Sequence, residues 1–359
     1  MAKKKASAVG ENESQADALV RQMEEKYGKG IVRSGSEVSE EKRHVISVSP
    51  SVDLGLGGGI PEGSWLSICG PEKIGKSMTC LTFCAECQKE ENGSRPIFYF
   101  DVECRLKSRD INGVKGLDPS KDFHVIRSTE DKIFSTVDYL IMAGDILKGV
   151  KKAVIVFDSI SAMCNPTILE DNVGKSDYGA NNKLISQFCD INCAVVPINK
   201  SIVIGVIHQY ANTSGYGPAA REKAAGRWKY QADVNIIAKG AAPWRTGSDD
   251  KSPQIGQIIT WIIKTSAIGV PGAKIESYLR YNIGIDKTYE LLTMAKDLGL
   301  LTAAGSWMTL DFVTEDMAVG TEFEGKPVKM QGLEKAYNLL EEKPEWASYL
   351  NNKIKEALA

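Results

Sequence analysis

Gly70-Pro71-Glu72-Lys73-Ile74-Gly75-Lys76-Ser77 satisfies the pattern GxxxxGK[ST] at every specified position. The apolar run Trp65–Cys69 leads into it, and a helical stretch opens near Lys76. Strand, loop and helix in that order are what phosphate capture needs. The backbone N–H groups of the loop and the positive end of the helix converge on one anion. The pattern therefore assigns Gly70, Pro71, Glu72, Lys73, Ile74, Gly75, Lys76, Ser77 and Met78 to the phosphates of a nucleotide. Lys76 brings an ammonium to the β- and γ-phosphates, and the Ser77 hydroxyl is the candidate Mg²⁺ ligand.

Working outward, Val154-Ile155-Val156-Phe157-Asp158 is an apolar strand ending in an acid. Asp158 falls at the carboxyl end of a sheet, where ligands collect in open α/β folds, and is the second candidate for Mg²⁺. Hydrolysis also needs a group that orients or deprotonates water. Ile97–Phe100 runs into Asp101-Val102-Glu103, and Ile202–Ile207 runs into His208-Gln209. Glu103 can polarise water and Gln209 can sense a γ-phosphate; a solvated carboxylate and a strand-end amide are the bland alternatives.

Further apolar runs are Ala153–Phe157, Val234–Ile237 and Ile258–Ile263, several of them separated by helical stretches. Short, nearly continuous apolar strands are expected when helices cover both faces of a sheet. The fold class is α/β, a phosphate-loop NTPase core with a mainly parallel, twisted sheet. After Gly284 the pattern turns mainly helical, with helices expected over Tyr289–Leu300, Leu333–Glu342 and Pro344–Leu358. No internal repeat is evident. Near the start, Ala16, Leu19, Val20, Met23 and Tyr27 recur at helical spacing until Gly28 and Gly30. Ile31-Val32 reads as a short extended piece and Ser34–Arg43 as a polar linker. The apolar stripe of that helix needs a cover, either the body of the chain or a neighbouring subunit.

Composition narrows the function. The chain has 359 residues, and 44 basic against 46 acidic residues give a net charge of −2. A globally basic protein is excluded, so any grip on nucleic acid must be local. No apolar run of 18 or more residues appears, and Met1–Ser7 is no secretory leader, so a cytoplasmic protein without membrane contact is expected. Cys80, Cys84 and Cys87 share one helix face, and Cys84 and Cys87 form a CxxC. No second pair or paired histidines complete a tetrahedral site, which favours reduced, buried thiols.

A local basic region does exist. Tyr210–Gln231 carries Arg221, Lys223, Arg227 and Lys229 against Glu222 alone, interleaved with Tyr210, Tyr216, Trp228 and Tyr230. Cations with aromatics suit single-stranded nucleic acid, while a solvated surface loop is the alternative. A structureless loop of this length tends to be functional. A second flexible stretch, Leu169–Ala180, is not basic; Lys183 and Ser186 follow it on a helix and are expected on the same side.

Taken together, the chain resembles the RecA recombinase family over nearly its whole length. The resemblance runs through Ala18–Gly30, similar to the family's polymerisation helix, through Leu54–Gly63, and through the phosphate loop. It continues with Asp101-Val102-Glu103, Asp158-Ser159, Gln209 and Gly284-Ile285-Asp286. It implies a RecA-type core with an N-terminal polymerisation helix and a small α+β C-terminal domain. The boundaries expected are 1–45 for the oligomerisation segment, 46–284 for the ATPase core and 285–359 for the final domain.

The resemblance also implies roles. Catalytic residues would be Glu103 activating water, Lys76, Gln209 coupling nucleotide to DNA, and Lys264 stabilising charge on a neighbour's nucleotide. The cofactors would be ATP and Mg²⁺. Segments 169–180 and 210–229 resemble two DNA-binding loops, with Lys183, Ser186, Arg221, Lys223, Gly226, Arg227 and Lys229 as DNA contacts. Partners would be single-stranded DNA, homologous duplex DNA and further copies of the chain in a helical polymer, with a single-strand-binding protein and a loader as accessory partners. The implied activity is a DNA-dependent ATPase catalysing homologous pairing and strand exchange. A hexameric helicase on the same core, or an ATP-gated coating filament without turnover, are the alternatives.

Departures from the family pattern are specific. Arg105-Leu106-Lys107-Ser108-Arg109-Asp110 stands where a small acid and an aromatic usually meet the adenine. Ser266 replaces the second of two lysines whose first is Lys264, and Asp190 occupies a usually basic position. The strongly acidic tail that bacterial members often carry is not seen in the residues up to Ala359. A divergent member of the phage-encoded type fits these departures.

Overall fold

Nearly every side chain of the strand leading into the phosphate loop is apolar, and the whole of Trp65–Gly70 is buried. Such a strand belongs in the middle of a sheet covered on both faces. The computed structural model of the chain describes residues 15–170, 179–211, 220–222, 226–247 and 249–358. Among these, a ten-stranded sheet forms the core. Its strands are β1 (Trp65–Gly70), β2 (Ile97–Asp101), β3 (Phe123–Ile126), β4 (Val154–Asp158), β5 (Ile202–Ala211), β6 (Ala220–Glu222), β7 (Val234–Arg245), β8 (Gln254–Thr265), β9 (Lys274–Arg280) and β10 (Gly284–Ile285).

The order is β10-β9-β8-β7-β1-β5-β4-β2-β3, with β6 paired to β5. The pairs from β7 through β1, β5, β4 and β2 to β3 are parallel. β8, β9 and β10 add antiparallel strands at one side. The expected α/β class and mainly parallel sheet are present. β3 and β9 lie outside the apolar runs that mark strands in the sequence. β9 alternates buried and exposed positions, as an antiparallel strand with one covered face does.

Register places the chemistry. Gly70 is paired with His208 across β1 and β5, and Asp101 with Asp158 across β2 and β4. One edge of the sheet therefore carries the phosphate loop, two acids and a histidine. α4 (Lys76–Cys87) follows the loop and packs on one face with Leu66, Ile68, Tyr99, Val154 and Val156. The other face is covered by α5 (Thr136–Gly149) and α6 (Ala180–Asn192), through Tyr139, Leu140, Ile185 and Phe188.

The segment before His44 forms its own compact unit. Its α1 (Gln15–Tyr27) has no buried residue and exposes Leu19, Met23 and Tyr27. Two expectations are corrected there. Ser34–Arg43 is not merely a linker: it contains α2 (Gly35–Glu40), started by a capping box in which Ser34 and Glu37 satisfy each other's backbone N–H groups. Ile31-Val32 is a bend and not a strand. In the larger unit, α3 (Pro50–Leu56) starts on the Ser49 cap.

Beyond β10 come α8 (Lys287–Asp297), α9 (Leu333–Glu342) and α10 (Pro344–Leu358), with α7 (Gly226–Gln231) lying earlier, between β6 and β7. The last three helices and a three-stranded antiparallel sheet at 302–304, 307–309 and 329–331 share a separate apolar cluster built on Leu292, Leu340, Trp346 and Leu350. The helix expected over Tyr289–Leu300 begins two residues earlier, because Asp286 caps it by accepting from Tyr289 N–H at 3.0 Å.

Candidate nucleotide site and nucleic-acid surface

The phosphate loop ends on Gly75, whose φ of 96° is left-handed. A Cβ there would lie 2.6 Å from Ile259 Cδ1, so both backbone and packing require glycine. Lys76 opens α4 and is buried, donating from Nζ to the Gly70 carbonyl at 3.0 Å and to that of Pro71. Burial pulls its ammonium below the usual 10.5, and the Asp158 carboxylate opposes that shift. Ser77 and Met78 follow in the first turn, half-buried, against a cleft of about 620 Å³. Glu72, Lys73, Gly75, Lys76, Ser77 and Met78 line it together with Glu103, Asp158 and His208.

Glu103 is held by three groups. Ser159 Oγ donates to its Oε1 at 3.1 Å, His208 Nε2 lies 3.4 Å from the same oxygen, and Arg105 Nη1 lies 3.0 Å from Oε2. Burial, with Lys76 nearby, lowers the His208 imidazole below 6.5. The sequence gives neither Ser159 nor His208 a role of its own, although His208 stands directly before Gln209. Of the two paired acids, Asp101 is committed to the following loop, accepting from Arg105 N–H and Leu106 N–H at 3.0 and 3.1 Å. Asp158 remains half-exposed in the cleft.

The donor chemistry fits Mg²⁺. Ser77 and Asp158 offer hard oxygens in one cleft, and among the described residues no cluster of three His, Cys, Asp or Glu could hold a metal alone. Mg²⁺ characteristically takes one or two protein oxygens and completes its shell with substrate phosphates and water. The cysteines of this helix face do not compete: Cys80, Cys84 and Cys87 are free and buried, with burial raising each thiol.

Leu106, Arg109, Asp110 and Tyr281 also line the cleft. Asp110 accepts from Lys107 N–H at 2.9 Å and lies 3.5 Å from Arg109 Nε, so its carboxylate is occupied locally. Lys264 is exposed at the end of β8 and does not line the cleft. Ser266 holds the turn that follows: its Oγ donates to the Leu56 carbonyl at 2.8 Å and accepts from Gly269 N–H at 2.9 Å.

The basic aromatic region is less irregular than expected. β5 continues through Gln209 to Ala211 and pairs with β6, setting Gln209 opposite Glu222 and Tyr210 opposite Arg221. Residues 212–219 and 223–225, with Tyr216 and Lys223, and 171–178 of the other loop lie outside the described residues. Trp228 is corrected from a base-stacking candidate to a core residue. It is buried on α7, donates from Nε1 to the Leu66 carbonyl at 3.0 Å and packs edge-on against Trp65. Tyr210 and Tyr230 are exposed.

Gly226 opens α7, and among the described residues nothing lies within 4 Å of where a Cβ would stand. Arg227 pairs with Asp190 on α6. Lys229 is half-buried, Lys183 exposed, and Ser186 Oγ donates to the Asn182 carbonyl one turn back at 2.7 Å.

Fold and cleft define a nucleoside-triphosphate-binding α/β protein. A family model described as "RecA N-terminal domain" matches residues 14–285. "Protein RecA" of a Nitratiruptor species is 27% identical over 350 residues, covering 95% of this chain and 92% of that one. "Protein RecA, chromosomal" of Lactococcus lactis subsp. lactis is also 27% identical, covering 95% and 83%. "Protein RecA" of Streptococcus pyogenes serotype M5 is 26% identical, covering 94% and 84%. The chain belongs to the RecA family, as a divergent member. Among the described residues, no helix is long and apolar enough to cross a membrane.

Proposed function

We propose that the chain is an ATP-driven recombinase that polymerises on single-stranded DNA and catalyses homologous pairing and strand exchange. The observation that carries this reading is the single sheet edge on which Lys76, Asp158, Glu103 and His208 meet, with β5 running on from His208 through Gln209 into the hairpin beside the basic region. Nucleotide chemistry and the candidate DNA surface thus share one strand.

In this reading Lys76 leaves the loop carbonyls for the β- and γ-phosphates. Ser77 and Asp158 would hold the metal, and Mg²⁺ bound there would supply charge that neutralises the phosphate oxygens. Glu103 accepts the proton of the attacking water, its carboxylate fixed by Ser159, His208 and Arg105. Gln209 reports the γ-phosphate to the β5–β6 hairpin, so that the ATP state grips DNA and cleavage releases it. Lys264, exposed and outside its own cleft, is available to a neighbour's nucleotide. Lys183, Ser186, Arg221, Lys223, Gly226, Arg227 and Lys229 form the DNA surface. The exposed apolar stripe of α1 suits docking on the next subunit.

The test is single-stranded DNA binding with and without ATP and Mg²⁺, on the full chain and on Lys76→Ala, with electron microscopy of both. The reading predicts ATP-dependent filaments that Lys76→Ala fails to form. Equal, nucleotide-independent DNA binding by both proteins would contradict it.

A further inference from the structure

Tyr99 lies on β2 opposite Val156 of β4, beneath α4, and packs in one apolar cluster with Cys80, Cys84 and Val154. It is fully buried. Phenylalanine would fill the same volume, so the hydroxyl adds nothing to packing. A buried hydroxyl is costly unless it is partnered, which makes the partner informative. Tyr99 Oη donates to Asp158 Oδ2 at 2.6 Å.

Asp158 is the acid this edge leaves for a ligand. Its neighbour Asp101 spends Oδ1 on Arg105 N–H and Oδ2 on Leu106 N–H. We infer that Tyr99 is a positioning residue for Mg²⁺: its hydroxyl ties down Oδ2 of Asp158, fixes the carboxylate, and leaves Oδ1 for the metal or one of its waters. Partners that orient a metal-binding carboxylate typically govern metal affinity. The inference rests on Asp158 being the metal-orienting acid.

The experiment measures the Mg²⁺ dependence of binding of a fluorescent, non-hydrolysable ATP analogue to the full chain. Variants are Tyr99→Phe, Asp158→Asn and the double substitution, each checked for cooperative thermal unfolding. Tyr99→Phe should raise the half-saturating Mg²⁺ concentration roughly tenfold and leave analogue affinity in EDTA unchanged. Asp158→Asn should raise it as well, and Tyr99→Phe should add nothing on that background. An unshifted Mg²⁺ midpoint in folded Tyr99→Phe, with Asp158→Asn shifted, overturns the role of Tyr99 alone. An equal loss of affinity in EDTA also overturns it, since that would mark a structural role. An unshifted Asp158→Asn overturns the metal reading and the inference together.

Discussion

Arg227 of α7 reaches Asp190 of α6 with Nη2 at 2.7 Å and Nε at 3.0 Å from one carboxylate oxygen, Oδ1. A cation read from sequence as a phosphate contact is thus already paired, by the acid that departs from the family pattern. If Arg227 meets DNA as proposed, phosphate and Asp190 compete for the same guanidinium. Asp190→Ala should therefore tighten single-stranded DNA binding and steepen its salt dependence by about one unit of log–log slope. Salt titrations of the two proteins measure this. An unchanged slope would say that Arg227 does not meet phosphate.

Two aromatics of α7 should separate stability from binding. Trp228 is about 1% exposed and Tyr230 87%. Trp228→Ala should cost about 3–5 kcal/mol of unfolding free energy in denaturant, as large-to-small core changes do. Tyr230→Ala should leave the unfolding midpoint in place and weaken DNA binding by a stacking contribution of roughly 1–3 kcal/mol. Equal stability of both variants would contradict the packing described.

The contrast shows what sequence can and cannot carry. The phosphate loop is legible because phosphate capture needs its residues contiguous, from Gly70 to Ser77. Trp228 is not, since a tryptophan among lysines suits base stacking as well as burial. What decides is Gly205 on β5, remote in sequence, where a Cβ would come within 2.6 Å of the indole. Tyr99 and Ser159 escape for the same reason: their partners, Asp158 at the end of β4 and Glu103 in the turn after β2, are remote in sequence, and only the register of β2 against β4 brings them together. α2 is hidden differently. Its Ser34-x-x-Glu37 capping signal stands in the sequence, obscured by the charged run around it.

A buried acid should make stability pH-dependent. Glu290 on α8 accepts from Ser51 N–H at 3.0 Å and Tyr278 N–H at 3.3 Å, and burial raises its carboxyl from 4.5 to about 7. The folded state then holds a proton that the unfolded chain releases near 4.5. The stability this contributes is complete below that value and is lost as pH rises to about 7. Urea midpoints should fall over that window more steeply in the wild type than in Glu290→Gln, whatever the variant's absolute stability. Parallel pH profiles would contradict the shift.

The central claim is that this cleft hydrolyses ATP under the control of DNA, and the most direct test is ATP turnover with and without single-stranded DNA, beside Glu103→Gln. The account predicts turnover strongly stimulated by DNA and reduced roughly a hundredfold or more in Glu103→Gln, the loss expected for a removed general base. ATP-dependent DNA binding with no turnover in the wild type, or turnover that Glu103→Gln leaves intact, would contradict it.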